Sequence, residues 1–233
     1  MNFWRTFLDI LLPRHCIVCD IELNNSEKDL CNVCLFNTEY IRWEDATDNP
    51  FLRIIWNTHN VDAAGSSFYY CPENKFHNIF IAIKYHGCPQ VGKKMAFLSF
   101  PYWKKLGLGN EIDYIIPVPL AKTRKFKRGY NQAEWIAQGV SLCTGIPVNN
   151  NILTRIRNNT SQTQKKGHER KENTVNIFAV KQNCCDLNDK TILLVDDIMT
   201  TGATLCDCIR ALRQHFPTVR IQLYTLGFTK QDK

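Results

Sequence analysis

The residues with the clearest chemical potential run from Thr191 to Thr204, as Thr-Ile-Leu-Leu-Val-Asp-Asp-Ile-Met-Thr-Thr-Gly-Ala-Thr. The apolar run Ile192 to Val195 reads as a strand buried on both faces of a parallel sheet. Asp196 and Asp197 stand at its C-terminal end. A small, hydroxyl-rich loop follows, and Leu205, Ile209 and Leu212 open an apolar-periodic helix. In open α/β sheets, ligands bind outside the carboxyl ends of the strands. A helix N-terminus with unpaired backbone N–H groups attracts anions. Two acids able to hold sugar hydroxyls beside a phosphate cradle imply a phosphorylated sugar as ligand. A plain N-capped helix would account for the Thr residues, but not for two adjacent acids, each of which raises the cost of ionising the other.

The surrounding elements must position these groups. Ala63–Tyr70, Tyr114–Val118, Ile177–Val180, Ile192–Val195 and Val219–Phe228 read as strands. Lys75–Tyr85, Val91–Trp103, Asn131–Cys143 and Ala203–His215 read as helices. The alternation predicts an α/β fold with a mostly parallel sheet flanked by helices. No G-x-G-x-x-G and no P-loop pattern occurs, so a dinucleotide site and a P-loop nucleotide site are both unsupported.

The N-terminal segment carries a second chemistry. Cys16-Ile-Val-Cys19 and Cys31-Asn-Val-Cys34 are two C-x2-C pairs separated by eleven residues. Four thiolates complete a tetrahedral shell, so the spacing predicts a closed, structural Zn2+ site, with an iron–sulfur cluster as the alternative. Metal binding would supply folding energy to a segment too short for its own core. The polar stretch Trp43–Pro50 reads as the linker that closes this module. The expected domains are residues 1–45, an N-terminal helix and the four-cysteine zinc-finger module, and residues 46–233, the α/β domain.

The 233 residues carry a net charge of +7, 44% hydrophobic residues and eleven cysteines. The charge suits phosphate-bearing ligands and nucleic acid alike. Cysteine-rich composition without a signal peptide points to a reducing cytoplasm. No apolar run approaches the ~20 residues a membrane-spanning helix needs. Met1–Pro13 reads as an amphipathic helix packed on the protein, in preference to one lying on a membrane.

Basic residues cluster at Lys122–Arg128 and again among Arg155, Arg157, Lys165, Lys166, Arg170 and Lys171. The first cluster reads as a basic loop after the strand that ends in Pro117-Val-Pro119, with Gly129 and Asn131 setting up the next helix. The second includes a long polar stretch, Asn158–Asn173, of the kind that is either functional or a disordered insertion.

The Thr191–Thr204 stretch resembles the ribose-phosphate motif of type I phosphoribosyltransferases. By that resemblance, Asp196 and Asp197 bind the 2′- and 3′-hydroxyls of phosphoribosyl pyrophosphate (PRPP), and Thr200, Thr201, Gly202, Ala203 and Thr204 wrap its 5′-phosphate. By the same resemblance Lys122 and nearby basic residues fall where the family contacts pyrophosphate, Arg128 and Asn131 either support that loop or contact a substrate, Mg2+ bridges donor groups, and Arg170 lies where the family carries a lid. Several purine-salvage members have an Asp base at the position of Thr200, and Thr cannot act as a base at neutral pH, so that reaction is disfavoured. Taken in order, the paired C-x2-C motifs, Lys84-Tyr85-His86-Gly87, Pro117-Val-Pro119, Arg128-Gly-Tyr-Asn-Gln-Ala133 and Val195–Thr204 resemble the ComF family of competence-associated proteins. That resemblance implies a role in natural transformation and DNA uptake. It leaves two functional readings: a Mg2+-dependent phosphoribosyltransferase with an unnamed acceptor, and a non-enzymatic protein that binds single-stranded DNA and competence partners. A homo-oligomer would allow a partner subunit to complete the basic loop.

Overall fold

The structure, a computed structural model, describes residues 13–56, 58–156 and 176–230. Along the chain these form α1 (Asn32–Phe36), α2 (Pro50–Trp56), β1 (Ala63–Tyr69), α3 (His77–Tyr85), α4 (Pro89–Lys105), β2 (Tyr114–Pro117) and α5 (Lys122–Arg128). There follow α6 (Gln132–Thr144), β3 (Leu153–Arg155), β4 (Phe178–Val180), β5 (Thr191–Met199), α7 (Ala203–His215) and β6 (Arg220–Phe228). Residues 1–12 of the expected N-terminal helix, and the polar stretch with Arg170, lie outside the described residues, as do Arg157, Lys165, Lys166 and Lys171.

The α/β reading holds. Four strands form a wholly parallel sheet in the order β1-β6-β5-β2. Ile192, Leu193, Leu194 and Val195 of β5 are fully buried, as a central strand covered on both faces requires. Val148 makes a parallel bridge to Ile115 on the outer side of β2. The chain therefore leaves β2 in one direction and β5 in the other, toward β6. The crevice between the carboxyl ends of β2 and β5 is a topological switch point, where sheets of this kind place ligands.

Close helix approach braces this sheet. A Cβ at Gly139 of α6 would lie 2.2 Å from the carbonyl oxygen of Lys93 in α4, so glycine lets the two helices touch. Gly65 in β1 plays the same part against Trp103, whose ring would meet an added Cβ at 2.6 Å.

The stretch expected as a linker, Trp43–Pro50, packs along β1 together with Tyr40 and Ile41 just before it. Tyr40 bridges Phe68 in antiparallel sense and Ile41 N–H donates to the Ser67 carbonyl at 2.8 Å. Asn49 is buried, donating from Nδ2 to the Ala64 carbonyl at 2.9 Å and accepting at Oδ1 from Leu52 N–H at 3.1 Å. The Trp43 ring meets Phe228 and Trp103 edge-on. These contacts cover the edge of the sheet, which would otherwise present unpaired backbone groups.

Several elements differ from expectation, the short helices α1 and α2 among them. The basic stretch 122–128 is a helix, α5, with no buried residue, and Gly129 ends it with φ +80°. The short β3, not expected, pairs antiparallel with β4. Asp207 of α7 fixes that pair by accepting from the N–H groups of Ile177 and Phe178 at 2.8 and 3.1 Å.

Candidate functional site

Pairing between β2 and β5 ends at Pro117 and Val195, with Val118 N–H donating to the Val195 carbonyl at 2.8 Å. Strand β5 continues to Met199 along β6. Asp196 and Asp197 thus lie within the strand, on the stretch that β2 leaves uncovered. A cleft of about 580 Å³ opens there. Asp196, Asp197, Lys84, Arg124, Arg128 and Arg155 supply its charges, and Asn131, Gln132 and Thr204 its neutral polar groups. A second pocket of about 220 Å³, formed by Ile198 to Leu205 with Asp196, adjoins it. The acid pair and the hydroxyl-rich loop are therefore neighbours, as the sequence pattern requires.

The two acids are electrostatically unequal. Asp197 Oδ2 lies 3.2 Å from Lys84 Nζ, with both side chains about one-fifth exposed (20% and 22%). Burial, with the adjacent Asp197 charge, pushes the Asp196 carboxyl up to about 8. The Asp196 Oδ1 accepts from Asp197 N–H at 2.8 Å, and Asp197 Oδ1 from Ile198 N–H at 2.7 Å, which fixes both rotamers against β5. Burial and the neighbouring Arg124 charge lower the Arg155 guanidinium, which also stacks on Phe178 at 5.2 Å.

Gly202 sits at φ +78° and caps α7 without a side chain. A Cβ there would meet Ile55 Cδ1 at 2.9 Å. Thr200, Thr201, Ala203 and Thr204 are exposed around this turn, so hydroxyls and first-turn N–H groups surround one small hollow.

Asn131 is 3% exposed and joins the end of β2 to α6: Nδ2 donates to the Val118 carbonyl at 2.9 Å and Oδ1 accepts from Ala133 N–H at 3.3 Å. Its neighbour Gln132 is 2% exposed, lines the cleft, and has no hydrogen-bond partner for Nε2. A buried donor without a partner is costly in a resting fold and is satisfied by a ligand with acceptor oxygens.

Arg128 lines the cleft and Lys122 does not. Lys122 belongs to a separate hollow with Lys125, Glu134 and Lys181. The cations that α5 turns to the cleft are Arg124 and Arg128, four residues apart and so on one helical face. The sequence reading gave no site role to Lys84 or Gln132, and it held Arg124 and Arg155 only as members of two basic clusters suited to phosphate. Helical spacing of Arg124 and Arg128 was the available signal for that pair, and it was hidden because the stretch read as a loop.

The Cys16, Cys19, Cys31 and Cys34 sulfurs all lie within 4.8 Å of one another. The Cys19–Cys31 separation of 3.7 Å matches the ~3.8 Å edge of a tetrahedron with Zn–S of ~2.3 Å. Cys31 caps α1, accepting from Cys34 N–H at 3.3 Å, while Cys31 N–H donates to Cys16 Sγ at 3.4 Å. Burial opposes ionisation of Cys16, but backbone donors from Cys31, Cys19 and Val18 outweigh it and bring the thiol down to about 7. Burial pushes Cys31 and Cys34 up. Four sulfurs converging with backbone donors fit a metal ion.

The phosphoribosyl transferase domain family matches residues 106–233, more than half of the chain, and the chain belongs to that family. Its curated relatives are competence and DNA-utilization proteins, in keeping with the ComF resemblance. Competence protein F of Haemophilus influenzae is 37% identical over 102 residues, covering 44% of each chain. Competence protein ComFC of Bacillus subtilis is 36% identical over 112 residues, covering 48% of this chain and 43% of that protein. DNA utilization protein YhgH of Escherichia coli is 29% identical over 100 residues, 43% of each. The chain thus matches less than half the length of these relatives. Among solved structures, adenine phosphoribosyltransferase from Leishmania tarentolae is 10% identical with a TM-score of 0.37, covering 77% of this chain and 88% of that one.

Proposed function

We propose that the cleft binds PRPP and that the protein transfers ribose 5-phosphate to an acceptor, releasing pyrophosphate. The observation that carries this reading is the adjacency of the Asp196–Asp197 cleft and the Thr200–Thr204 pocket, with cations and the unpartnered Gln132 amide around the first. Asp196 and Asp197 accept hydrogen bonds from the ribose hydroxyls. Thr200, Thr201 and Thr204, with the N–H groups of Gly202 and Ala203, hold the 5′-phosphate. Arg124 and Arg128 of α5 face the pyrophosphate, and Asn131 ties the start of α6 to the end of β2. Asp196 and Asp197 offer the oxygen donors that Mg2+ prefers; bound there with the donor, the ion would offset the charge of the departing pyrophosphate. Thr200 offers no base, so rate enhancement comes from positioning and from stabilising the departing pyrophosphate. The four-cysteine cluster holds structural Zn2+.

Calorimetric titration of zinc-replete protein with PRPP and Mg2+ tests the reading. Binding that disappears in the Asp196→Asn, Asp197→Asn double variant supports it, and no binding to the wild type removes it.

A second reading has its own observation. Helix α5 buries nothing, carries Lys122, Arg124, Lys125, Lys127 and Arg128, and holds the Phe126 ring 94% exposed. An exposed cationic ridge with an aromatic ring suits single-stranded DNA, in line with the DNA utilization and competence names of the relatives, and competence proteins are the partners this reading implies. It predicts binding that weakens steeply with salt and with neutralisation of this cluster. Among the described residues no helix is long and apolar enough to cross a membrane.

A further inference from the structure

Among the described residues, the two most exposed large apolar side chains are Phe36 and Phe126, each at least nine-tenths open to water. Neither lines the donor cleft or the pocket beside it. Each projects from a short helix, Phe36 from α1 in the four-cysteine module and Phe126 from α5.

Their surroundings carry opposite charge. Residues 13–41 hold two bases, Arg14 and Lys28, against five acids, Asp20, Glu22, Glu27, Asp29 and Glu39, in a chain whose net charge is +7. Asp20, Glu22 and Glu39 are exposed. Phe126 stands instead among Lys122, Arg124, Lys125, Lys127 and Arg128, with no acid on its helix. The module's apolar face is also wider than one ring. Val33 precedes Phe36 by three residues, so both lie on one side of α1, and Val33 is exposed as well. Helix α1 is anchored from beneath: Cys34 is buried, Cys31 Sγ accepts from Cys34 N–H, and Thr38 Oγ1 donates to the Cys34 carbonyl at 2.8 Å. A face held this way loses little freedom when it meets a partner.

We infer that the two faces bind each other between copies of this chain: the acidic module of one copy docks on α5 of a second, with Phe36 and Phe126 as apolar anchors inside rims of opposite charge. The inference is independent of the donor reading.

The driving force is removal of the Phe36, Val33 and Phe126 surfaces from water. The exposed acids and lysines are solvated and need no partner; their signs decide which surfaces approach. Two modules repel each other, and so do two α5 helices, whereas module and α5 attract. Because the two faces differ, the contact is heterologous. Each docked pair leaves one module and one α5 for a reciprocal contact or for a further copy. A five-residue helix against a seven-residue one offers less than a standard interface, so the association is weak and falls as salt rises. Helix α5 is also the ridge that suits single-stranded DNA, so a strand and a second copy compete for it.

Sedimentation velocity of the full, zinc-replete chain under reductant tests this, at low salt and from about 10 to about 500 µM because the contact is small. Larger species should grow with concentration and fade with added salt. Phe36→Asp and Phe126→Asp, each alone, should weaken association about tenfold or more. Mixing the two variants separates this contact from any other. The first keeps a working α5 and the second a working module, so the mixture should form a two-chain species that neither forms alone. Zinc bound by Phe36→Asp at the wild-type level shows that its module is folded; Val33→Asp repeats the test if it does not. A wild type that stays monomeric, association that either variant leaves intact, or a mixture no larger than its parts overturns the inference. So does a monomeric chain whose binding of oligothymidylate needs Phe126, which gives α5 to DNA. A monomeric chain whose urea stability falls in Phe36→Asp with zinc retained also overturns it, because the module's face is then covered from within its own chain.

Discussion

Replacing Asp196 with Asn should flatten the alkaline side of this protein's stability curve. In the folded chain, burial and the Asp197 charge push the Asp196 carboxyl from an ordinary 3.8 up to about 8. Across that interval the folded state keeps a proton that the unfolded chain has released. Stability from this group is fully present below about pH 4 and is lost as pH rises through about 8. At ~1.4 kcal/mol per pH unit the ceiling is about 6 kcal/mol. Water in the open cleft screens the charge, so a loss of about 2–3 kcal/mol between about pH 5 and pH 9 is expected. The Asn variant has no such proton and should lose that much less. Urea unfolding of both zinc-replete proteins under reductant, at the two pH values, measures the difference; the cysteine thiols titrate in both chains and cancel. Parallel pH dependence in the two proteins would refute the electrostatic account of the acid pair. The same proton has a ligand-binding consequence. Mg2+ and ribose hydroxyls favour the ionised carboxylate, so donor binding near neutral pH should release up to about one proton, seen as buffer-dependent heats that vanish in Asp196→Asn.

The remaining predictions concern the frame around the site. Gly139→Ala drives a Cβ to 2.2 Å from the Lys93 backbone oxygen, which no rotamer change can relieve; a loss of about 1–3 kcal/mol in urea unfolding is expected, with donor binding retained by the folded fraction. Gly202→Ala must hold φ +78° with a Cβ 2.9 Å from Ile55. It should cost about 1–2 kcal/mol and weaken donor binding in calorimetry, because the turn it strains forms the 5′-phosphate pocket. Cys34→Ser removes one of four converging sulfurs; zinc per chain after dialysis should fall well below one, and limited proteolysis should cut within residues 13–40 first.

Much of the fold was legible because its strands and long helices bury something. The Ile192–Val195 run is buried on both faces, and Gly145 stops α6 in the left-handed region with φ +77°. Ala203–His215 was readable to the residue because Leu205, Ile209 and Leu212 repeat on its inner face. The linker reading of Trp43–Pro50 rested on polarity alone. Its polar side chains serve the fold: Asn49 bonds three carbonyls, those of Asp45, Ala46 and Ala64, and caps α2, while Trp43 covers an aromatic cluster. Composition cannot distinguish a solvated Asn from one whose partners lie 15 residues away.

The site was legible where one segment supplies the chemistry, as in Asp196 to Thr204, and opaque where the chain must fold to bring charges in. Helix α5 shows why. A seven-residue helix that buries none of its side chains has no apolar stripe, so the periodicity that reveals helices is absent by construction. Without a helix, its cations look interchangeable, and Lys122 is as eligible as any. With the helix in place, the 3.6-residue turn sends Arg124 and Arg128 to the cleft and Lys122 and Lys125 to the other side. Lys84 is more remote still, entering from α3 to sit 3.2 Å from Asp197. A carboxylate pair held at a strand end calls for a cation from somewhere, but only the packing of α3 against the sheet decides which one arrives.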